Sequence, residues 1–328
     1  MIKVDGDELA TSREGSRQPG VDFVALGEPL IEFNQTRGSR GEYLQGFGGD
    51  TSNCAIAAAR LGARTAYVTR VGADAFGRMF LDLWRREGVD VHGVAQDADA
   101  PTGIYFVSHG EAGHEFSYLR AGSAASRMRP ATLPLELIRA TKALHVSGIS
   151  QAISDSACDT VFAAIEAARA AGARVAYDSN LRLKLWPLAR ARAVITATIA
   201  RCDWFLPSRD EMEQLSGATE PESMLDWCHA KGAPLVALKM GAEGAWVSTR
   251  ETRTHVPGRR VECVDATGAG DCFDGAFITR LIAGDEPGAA ARYANAAAAL
   301  KIGGYGAVAP LPRHADVMAL LARDCPDH

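Results

Sequence analysis

The chain reads as an α/β protein, a three-layer sandwich with a mainly parallel sheet between two layers of helix. Three observations predict it. Short apolar runs of β type alternate with longer alanine-rich runs of helical spacing. Glycines (Gly62, Gly88, Gly172) close helical runs, where the chain must turn back to the sheet. Two stretches, residues 30–47 and 101–120, break the rhythm with short alternating segments.

Residues 1–20 are polar, charged and Gly/Ser-containing, and read as a mobile tail. Residues 21–328 are read as one domain. Val21–Leu26 is a strand broken by Gly27. Asp50–Arg60 is a helix ended by Gly62, and Arg64–Thr69 a strand. Ala75–Glu87 is a helix ending at Gly88. Ala143–Val146 is a strand, Ser156–Ala171 a helix and Ala173–Tyr177 a strand. Ala189–Ala200 is a helix, followed by the short strand Trp204–Leu206 before Pro207. Glu222–Lys231 is a helix and Pro234–Leu238 a strand. Ala245–Ser248 and Thr252–Val256 form a hairpin after Gly244. Ala269–Ala283, Gly288–Ile302 and Ala315–Leu321 close the chain as helices. The two irregular stretches, with segments such as Ile104-Tyr105-Phe106-Val107, read as antiparallel strands forming a flap on one edge of the sheet.

Composition excludes several functions. Lys and Arg number 35 against 40 Asp and Glu, for a net charge of −5. That balance suggests neither a nucleic-acid-binding surface nor a polybasic membrane patch. No apolar run is long enough to span a membrane, and the N-terminus lacks a signal-peptide pattern. The seven cysteines, Cys54, Cys158, Cys202, Cys228, Cys263, Cys272 and Cys325, show no CxxC or Cys/His ligand spacing. They read as reduced thiols of a cytoplasmic protein. The eight histidines show no HxxxH pair, and His145 sits in an apolar run as a core residue. A Walker sequence and a Rossmann glycine fingerprint are both missing, which argues against P-loop chemistry and a nucleotide-dependent oxidoreductase.

The most informative segment is Asp265-Ala266-Thr267-Gly268-Ala269-Gly270-Asp271-Cys272-Phe273-Asp274-Gly275. Two glycines bracket an alanine, an acid follows, and a small-residue helical run begins. A chain entering a helix this way bares N–H groups at the positive end of the dipole, a ready phosphate site. Asp271 would repel that phosphate, but it is placed to take a proton from an attacking hydroxyl. The alternative is a helix with an acid favoured in its first turn.

This string resembles the second signature of the ribokinase-like (PfkB) carbohydrate kinases. Their first signature is matched by Gly48-Gly49-Asp50-Thr51-Ser52-Asn53-Cys54-Ala55-Ile56-Ala57-Ala58-Ala59-Arg60-Leu61-Gly62. The resemblance runs from about Val21 to about Leu321. It implies a ribokinase-like αβα fold, a β lid over the sugar site that often mediates dimerisation, and phosphoryl transfer from MgATP. It also admits a monovalent cation such as K+. Asp271 would be the base, with the N–H groups around Gly268, Ala269 and Gly270 on the phosphoryl group.

Gly49, Asp50 and Asn53 open a helix and would meet a polyol; capping by Asp50 is the alternative. Tyr118-Leu119-Arg120-Ala121-Gly122-Ser123-Ala124 resembles a stretch of the 2-keto-3-deoxygluconate kinases within that family. A sugar acid needs a cation, and Arg120 and Arg182 are the candidates. Tyr105 would add a hydroxyl from the lid. Leu181 and Tyr305 depart from that subfamily's common pattern.

For the nucleotide, Lys239-Met240-Gly241-Ala242-Glu243-Gly244 resembles a Lys-x-Gly-x-x-Gly turn, which a plain β-turn explains equally well. Asn180, Ser208, Gly268, Gly270 and Asn295 join that set, with the Gly303–Gly306 loop beside the adenine. Glu211 stands where the family has a metal–phosphate glutamate, although Ser208 replaces the usual Asn and a capping box fits the same spacing. The alternatives are a kinase for a neutral sugar such as fructose or ribose, or for another sugar acid, and a kinase-fold binding protein without catalysis.

Overall fold

The computed structural model describes residues 20–36, 41–110 and 113–323. The tail reading lies outside these residues apart from the exposed Gly20, as does Cys325. Strand β1 (Phe23–Leu26) leads to the hairpin of β2 (Leu30–Gln35) and β3 (Tyr43–Gly48). Then come α1 (Asp50–Arg60), β4 (Thr65–Gly72), α2 (Ala75–Arg86), β5 (Val89–Asp90) and β6 (Val94–Asp97). A second hairpin, β7 (Gly103–Gly110) and β8 (Gly113–Leu119), precedes α3 (Leu135–Arg139), β9 (Ala143–Ser147), α4 (Gly148–Ala152) and α5 (Asp155–Ala170). The chain continues through β10 (Arg174–Asp178), α6 (Leu188–Ile199), β11 (Trp204–Phe205), α7 (Arg209–Ser216), α8 (Pro221–Ala230) and β12 (Leu235–Lys239). It ends with β13 (Gly244–Ser248), β14 (Arg253–Pro257), α9 (Ala269–Ile282), α10 (Pro287–Lys301) and α11 (His314–Ala322).

The main sheet has the order β14-β13-β12-β11-β10-β9-β1-β4-β5, with β6 also paired to β4. All its pairings from β12 to β5 are parallel, and β13 and β14 add an antiparallel edge. Its strands are buried on both faces, so they read as continuous apolar runs without alternation. One core joins that sheet to α1, α2, α9 and α10, including Ile56, Trp84, Phe277 and Ala294. The other joins it to α5, α6, α7 and α8, including Val161, Ile195, Met212 and Leu225. These are the three layers expected. The short elements α3, α4, α7, β5 and β6 were not separable by pattern, because two to eight residues hold too few periods to register.

The irregular stretches form a separate four-stranded sheet, β3-β2-β7-β8. Each hairpin is antiparallel, but the central pair β2–β7 is parallel. That pairing differs from the all-antiparallel expectation. The first strand of each hairpin leads out of the main sheet in the same direction, so the two meet side by side.

Helix α9 lies hard against α1. A Cβ on Gly275 would come within 2.6 Å of the Cys54 carbonyl oxygen. Only glycine allows this approach, and the approach brings the first turns of the two helices together.

Candidate active site

Parallel α/β sheets gather their ligands at the carboxyl ends of the strands. Here that edge collects Glu28 after β1, Ser147 on β9, Asp178 on β10 and Lys239 on β12, with the N-termini of α1 and α9 above them. The Asp178-Ser179-Asn180 segment fans out to three elements. Asp178 Oδ2 lies 3.3 Å from Lys239 Nζ, the Ser179 hydroxyl donates to Glu211 Oε2 at 2.7 Å, and Asn180 Nδ2 donates to Asp50 Oδ2 at 2.9 Å. Asn180 holds φ of 31°, the left-handed conformation that a side chain such as Asn tolerates.

Helix α9 opens as its glycines predict. Gly268 caps it at φ 76°, and a Cβ there would touch Ala307 at 3.2 Å. The Ala269 N–H is spent on the Ala266 carbonyl at 3.1 Å. Among the described residues, the Gly270 and Asp271 N–H groups find no acceptor in the turn preceding the helix. They are the donors left for an anion.

Asp271 Oδ2 accepts from Asn53 Nδ2 at 2.8 Å, across the α1–α9 contact. Burial pushes the Asp271 carboxyl up to about 7, and the nearby Asp50 and Asp178 add to it. The Asn53 hydrogen bond and Lys239 act in the opposite direction. A carboxyl poised there exchanges protons readily near neutrality. Gly49 caps α1 at φ 103°, and a Cβ on it would meet the Glu28 carbonyl oxygen at 2.5 Å. Asp50 is therefore the first helical residue and not the cap. Burial raises its carboxyl as well. Asp50 Oδ1 and Asn53 Oδ1 are both buried without a partner among the described residues. Two orphaned acceptors one helical turn apart suit a ligand that brings hydroxyl donors.

The lid residues meet the same edge. Arg120, beyond β8, pairs with the fully buried Glu28, which also accepts from the Ser123 hydroxyl. Burial raises the Glu28 carboxyl, while Arg120 and Ser123 pull it back. Nothing in the sequence signalled this partner, which lies next to Pro29 far along the chain. Arg182 is half-exposed, 3.8 Å from Glu211. Tyr105 is buried and donates its hydroxyl to Glu32; Tyr118 is exposed and stacks on Tyr105 with centroids 5.8 Å apart.

The residues expected to hold nucleotide are more dispersed. Lys239 is buried, 3.0 Å from Asp274 and close to Asp178. Burial alone would lower its pKa, but Asp178, Asp274 and Glu211 drive it up instead, so the ammonium is a fixed charge. A Cβ on Gly270 would lie 3.6 Å from that ammonium. Gly241 and Gly244 have φ of 59° and 98°; a Cβ on Gly244 would strike the Val256 carbonyl oxygen at 2.2 Å. Asn295 spends its amide on the Val256 and Pro257 carbonyls at 3.0 and 3.2 Å. A cavity of about 410 Å³ adjoins this junction, lined by Val256, Pro257, Gly258, Arg259, Arg260 and Arg292. A second cavity of about 440 Å³, beside Lys142 and Arg174, lies at the opposite ends of the strands, away from Asp271.

Glu211 completes the capping box of α7, accepting from Ser208 N at 3.1 Å. It also accepts from Leu181 N at 3.1 Å, so both oxygens are engaged. Among the described residues, no cluster of three or more His, Cys, Asp or Glu could hold a metal ion. A direct Mg²⁺ bond to Glu211 would break part of this network, whereas a contact through metal-bound water fits it. His145 is buried, stacks on Phe23 and is lowered to about 4 by burial, so it is a neutral core residue.

Residues 22–314 match the sequence profile of the pfkB family carbohydrate kinase. A 2-dehydro-3-deoxygluconokinase of Thermoproteus tenax is 36% identical over 90% of this chain and 93% of its own. Fructokinase-1 of Oryza sativa subsp. japonica is 35% identical over 91% and 97%. Among solved structures, the fructokinase of Vibrio cholerae O395 in its fructose, ADP and calcium ion bound form superposes with a TM-score of 0.84 at 29% identity. It covers 92% of this chain and 99% of that one.

Proposed function

The chain belongs to the pfkB family of carbohydrate kinases and is a phosphotransferase, and from that premise we propose an ATP-dependent kinase of 2-keto-3-deoxygluconate. The γ-phosphoryl passes to the 6-hydroxyl. The observation that carries the chemistry is Asp271, poised near neutrality beside the open N–H groups of Gly270 and Asp271. Asp50 and Asn53 take sugar hydroxyls on their orphaned oxygens. Asp271 takes the proton from the acceptor hydroxyl, and the open N–H groups hold charge on the phosphoryl group. The arginine-lined cavity beside Asn295 suits a polyanionic nucleotide. Bound with ATP, Mg²⁺ would supply charge neutralisation at the phosphates, with Glu211 reaching it through water.

The sugar-acid reading rests on Arg120, a nearly buried cation at the lid's stem. The neutral-sugar reading draws on Glu28, which already balances that charge. ADP release across keto-deoxy sugar acids, fructose and ribose separates the two. Preference for fructose or ribose over every acid would remove the acid assignment and leave the kinase.

Glu211→Gln is expected to raise the magnesium requirement more than the sugar KM. A magnesium titration matching wild type would reduce Glu211 to the cap of α7.

The lid sheet exposes Tyr43, Leu44, Phe116, Tyr118 and Leu119, a patch suited to a second copy. A homodimer through it is proposed, and sedimentation of a monomer would reject it. Among the described residues no helix is long and apolar enough to cross a membrane. The cytoplasm is the proposed setting, supported by six described cysteines that are all free thiols.

A further inference from the structure

Lys301, at the end of α10, has no solvent exposure and takes no part in the chemistry above. Its ammonium donates to the backbone carbonyl of Asp265 at 2.8 Å. Asp265 begins the loop that runs into the Gly268 turn. Its carboxylate accepts from Thr267 N at 2.9 Å and Gly306 N at 2.8 Å. Val264 N and Asp265 N both donate to the Ile302 carbonyl, at 2.8 and 3.2 Å. The loop before α9 and the loop after α10 are thus already joined by backbone and carboxylate bonds.

Those bonds make the ammonium hard to explain as a strut. Burying a charge costs several kcal/mol even after relaxation, and a neutral donor would satisfy one carbonyl. The charge itself must be of use. Its neighbours are telling. Burial pulls the Lys301 pKa down, while the carboxylates of Asp265 and Asp271 hold it up, so the ammonium lies within electrostatic reach of the first turn of α9. Seating the Asp265 carbonyl on Lys301 also turns the next N–H, that of Ala266, to the opposite side of its trans peptide.

We propose that Lys301 is a built-in monovalent cation: its ammonium, seated on the Asp265 carbonyl behind the phosphoryl-binding turn, positions that turn and adds fixed positive potential, so turnover needs no added K+ or NH4+. The proposal rests on the phosphoryl-transfer reading of the Gly268–Asp271 turn. It makes Lys301 a positioning residue, one that touches neither sugar nor base.

The test uses the full chain and whichever acceptor wild type phosphorylates, in choline buffer with and without KCl or NH4Cl. Wild-type kcat should change by less than about twofold on adding either salt. Lys301→Met keeps an unbranched side chain, shorter by the terminal nitrogen, and removes the charge; its kcat should fall by about tenfold or more, with acceptor KM within about twofold. Lys301→Ala leaves room for an ion, and K+ or NH4+ should restore part of its kcat where choline does not. Severalfold activation of wild type by K+, or a Lys301→Met enzyme with normal kcat, would overturn the proposal. Calorimetry without acceptor provides a second reading. Lys301→Met should weaken ATP more than ADP, and equal weakening counts against the proposal. A chain that phosphorylates no sugar would defeat the substrate reading and still leave that nucleotide comparison to decide Lys301.

Discussion

Asp271→Asn is expected to lower kcat by a factor on the order of 10²–10⁴, the usual contribution of a positioned general base. The amide keeps the shape of the carboxylate and can still meet Asn53, with one amide rotated to match the other. It cannot accept the hydroxyl proton. Sugar and nucleotide affinities should therefore hold while turnover collapses, the pattern of an interaction made only in the transition state. Single-turnover phosphoryl transfer checks it, and near-normal kcat in the variant would remove Asp271 as the base.

The same residue sets a pH dependence of known sign. The base works as the carboxylate, so kcat/KM should rise with pH through about 7, where burial has placed the group. Stability runs the other way. The folded pKa is raised to about 7 from an ordinary value of 3.8. Between those values the native state holds a proton that the unfolded chain has lost. The stability this group contributes is complete below the unfolded value and is lost as pH rises through about 7. Asp271→Asn carries no such charge, so it should unfold at a higher temperature than wild type above neutral pH. One substitution would then cost activity and gain stability.

Why these two helices meet was legible only in part. The Gly268–Gly275 run announced a glycine-opened helix, and the start of α1 at Asp50 followed from its helical pattern. The longer strands and helices around the main sheet were legible because each shows a period, whereas the short strands β5 and β6 at its edge were not. The pairing of β2 with β7 was not, since register and direction across the lid depend on where two distant hairpins leave the sheet. Side-chain partners were the least legible. Lys239 was read with the turn that follows it, yet its ammonium is held by Asp178 and Asp274. Asn180 was read with the nucleotide and lies on Asp50. Ionic and amide pairing over long sequence separations leaves no periodic trace. The capping box of Ser208 and Glu211 was visible because it is local.

The second large effect is expected at Arg120, and its partner changes what must be measured. A sugar acid entering a closed cleft gives up water around its carboxylate and needs a cation to replace it. Arg120 is that cation in the sugar-acid reading, but in the free protein it is engaged by Glu28, which is fully buried. Burial has already raised the Glu28 carboxyl, so a second carboxylate arriving at Arg120 would favour a proton on Glu28 and leave the guanidinium to the substrate. Arg120→Gln removes one partner of a desolvated pair, a loss of about 2–5 kcal/mol. At that scale kcat/KM for the keto-deoxy sugar acid should drop roughly 30-fold or more. A neutral analogue without the carboxylate should lose far less. The single variant also strands Glu28, at about 3–5 kcal/mol when a buried pair is broken, so lost stability could pass for lost recognition. Glu28→Gln with Arg120→Gln replaces both charges by neutral amides and should recover most of the melting temperature. If Arg120 reads the substrate's charge, the double variant stays poor on the acid and serviceable on the neutral sugar. If acid and neutral sugar suffer equally in both variants, Arg120 and Glu28 only hold the lid to β1.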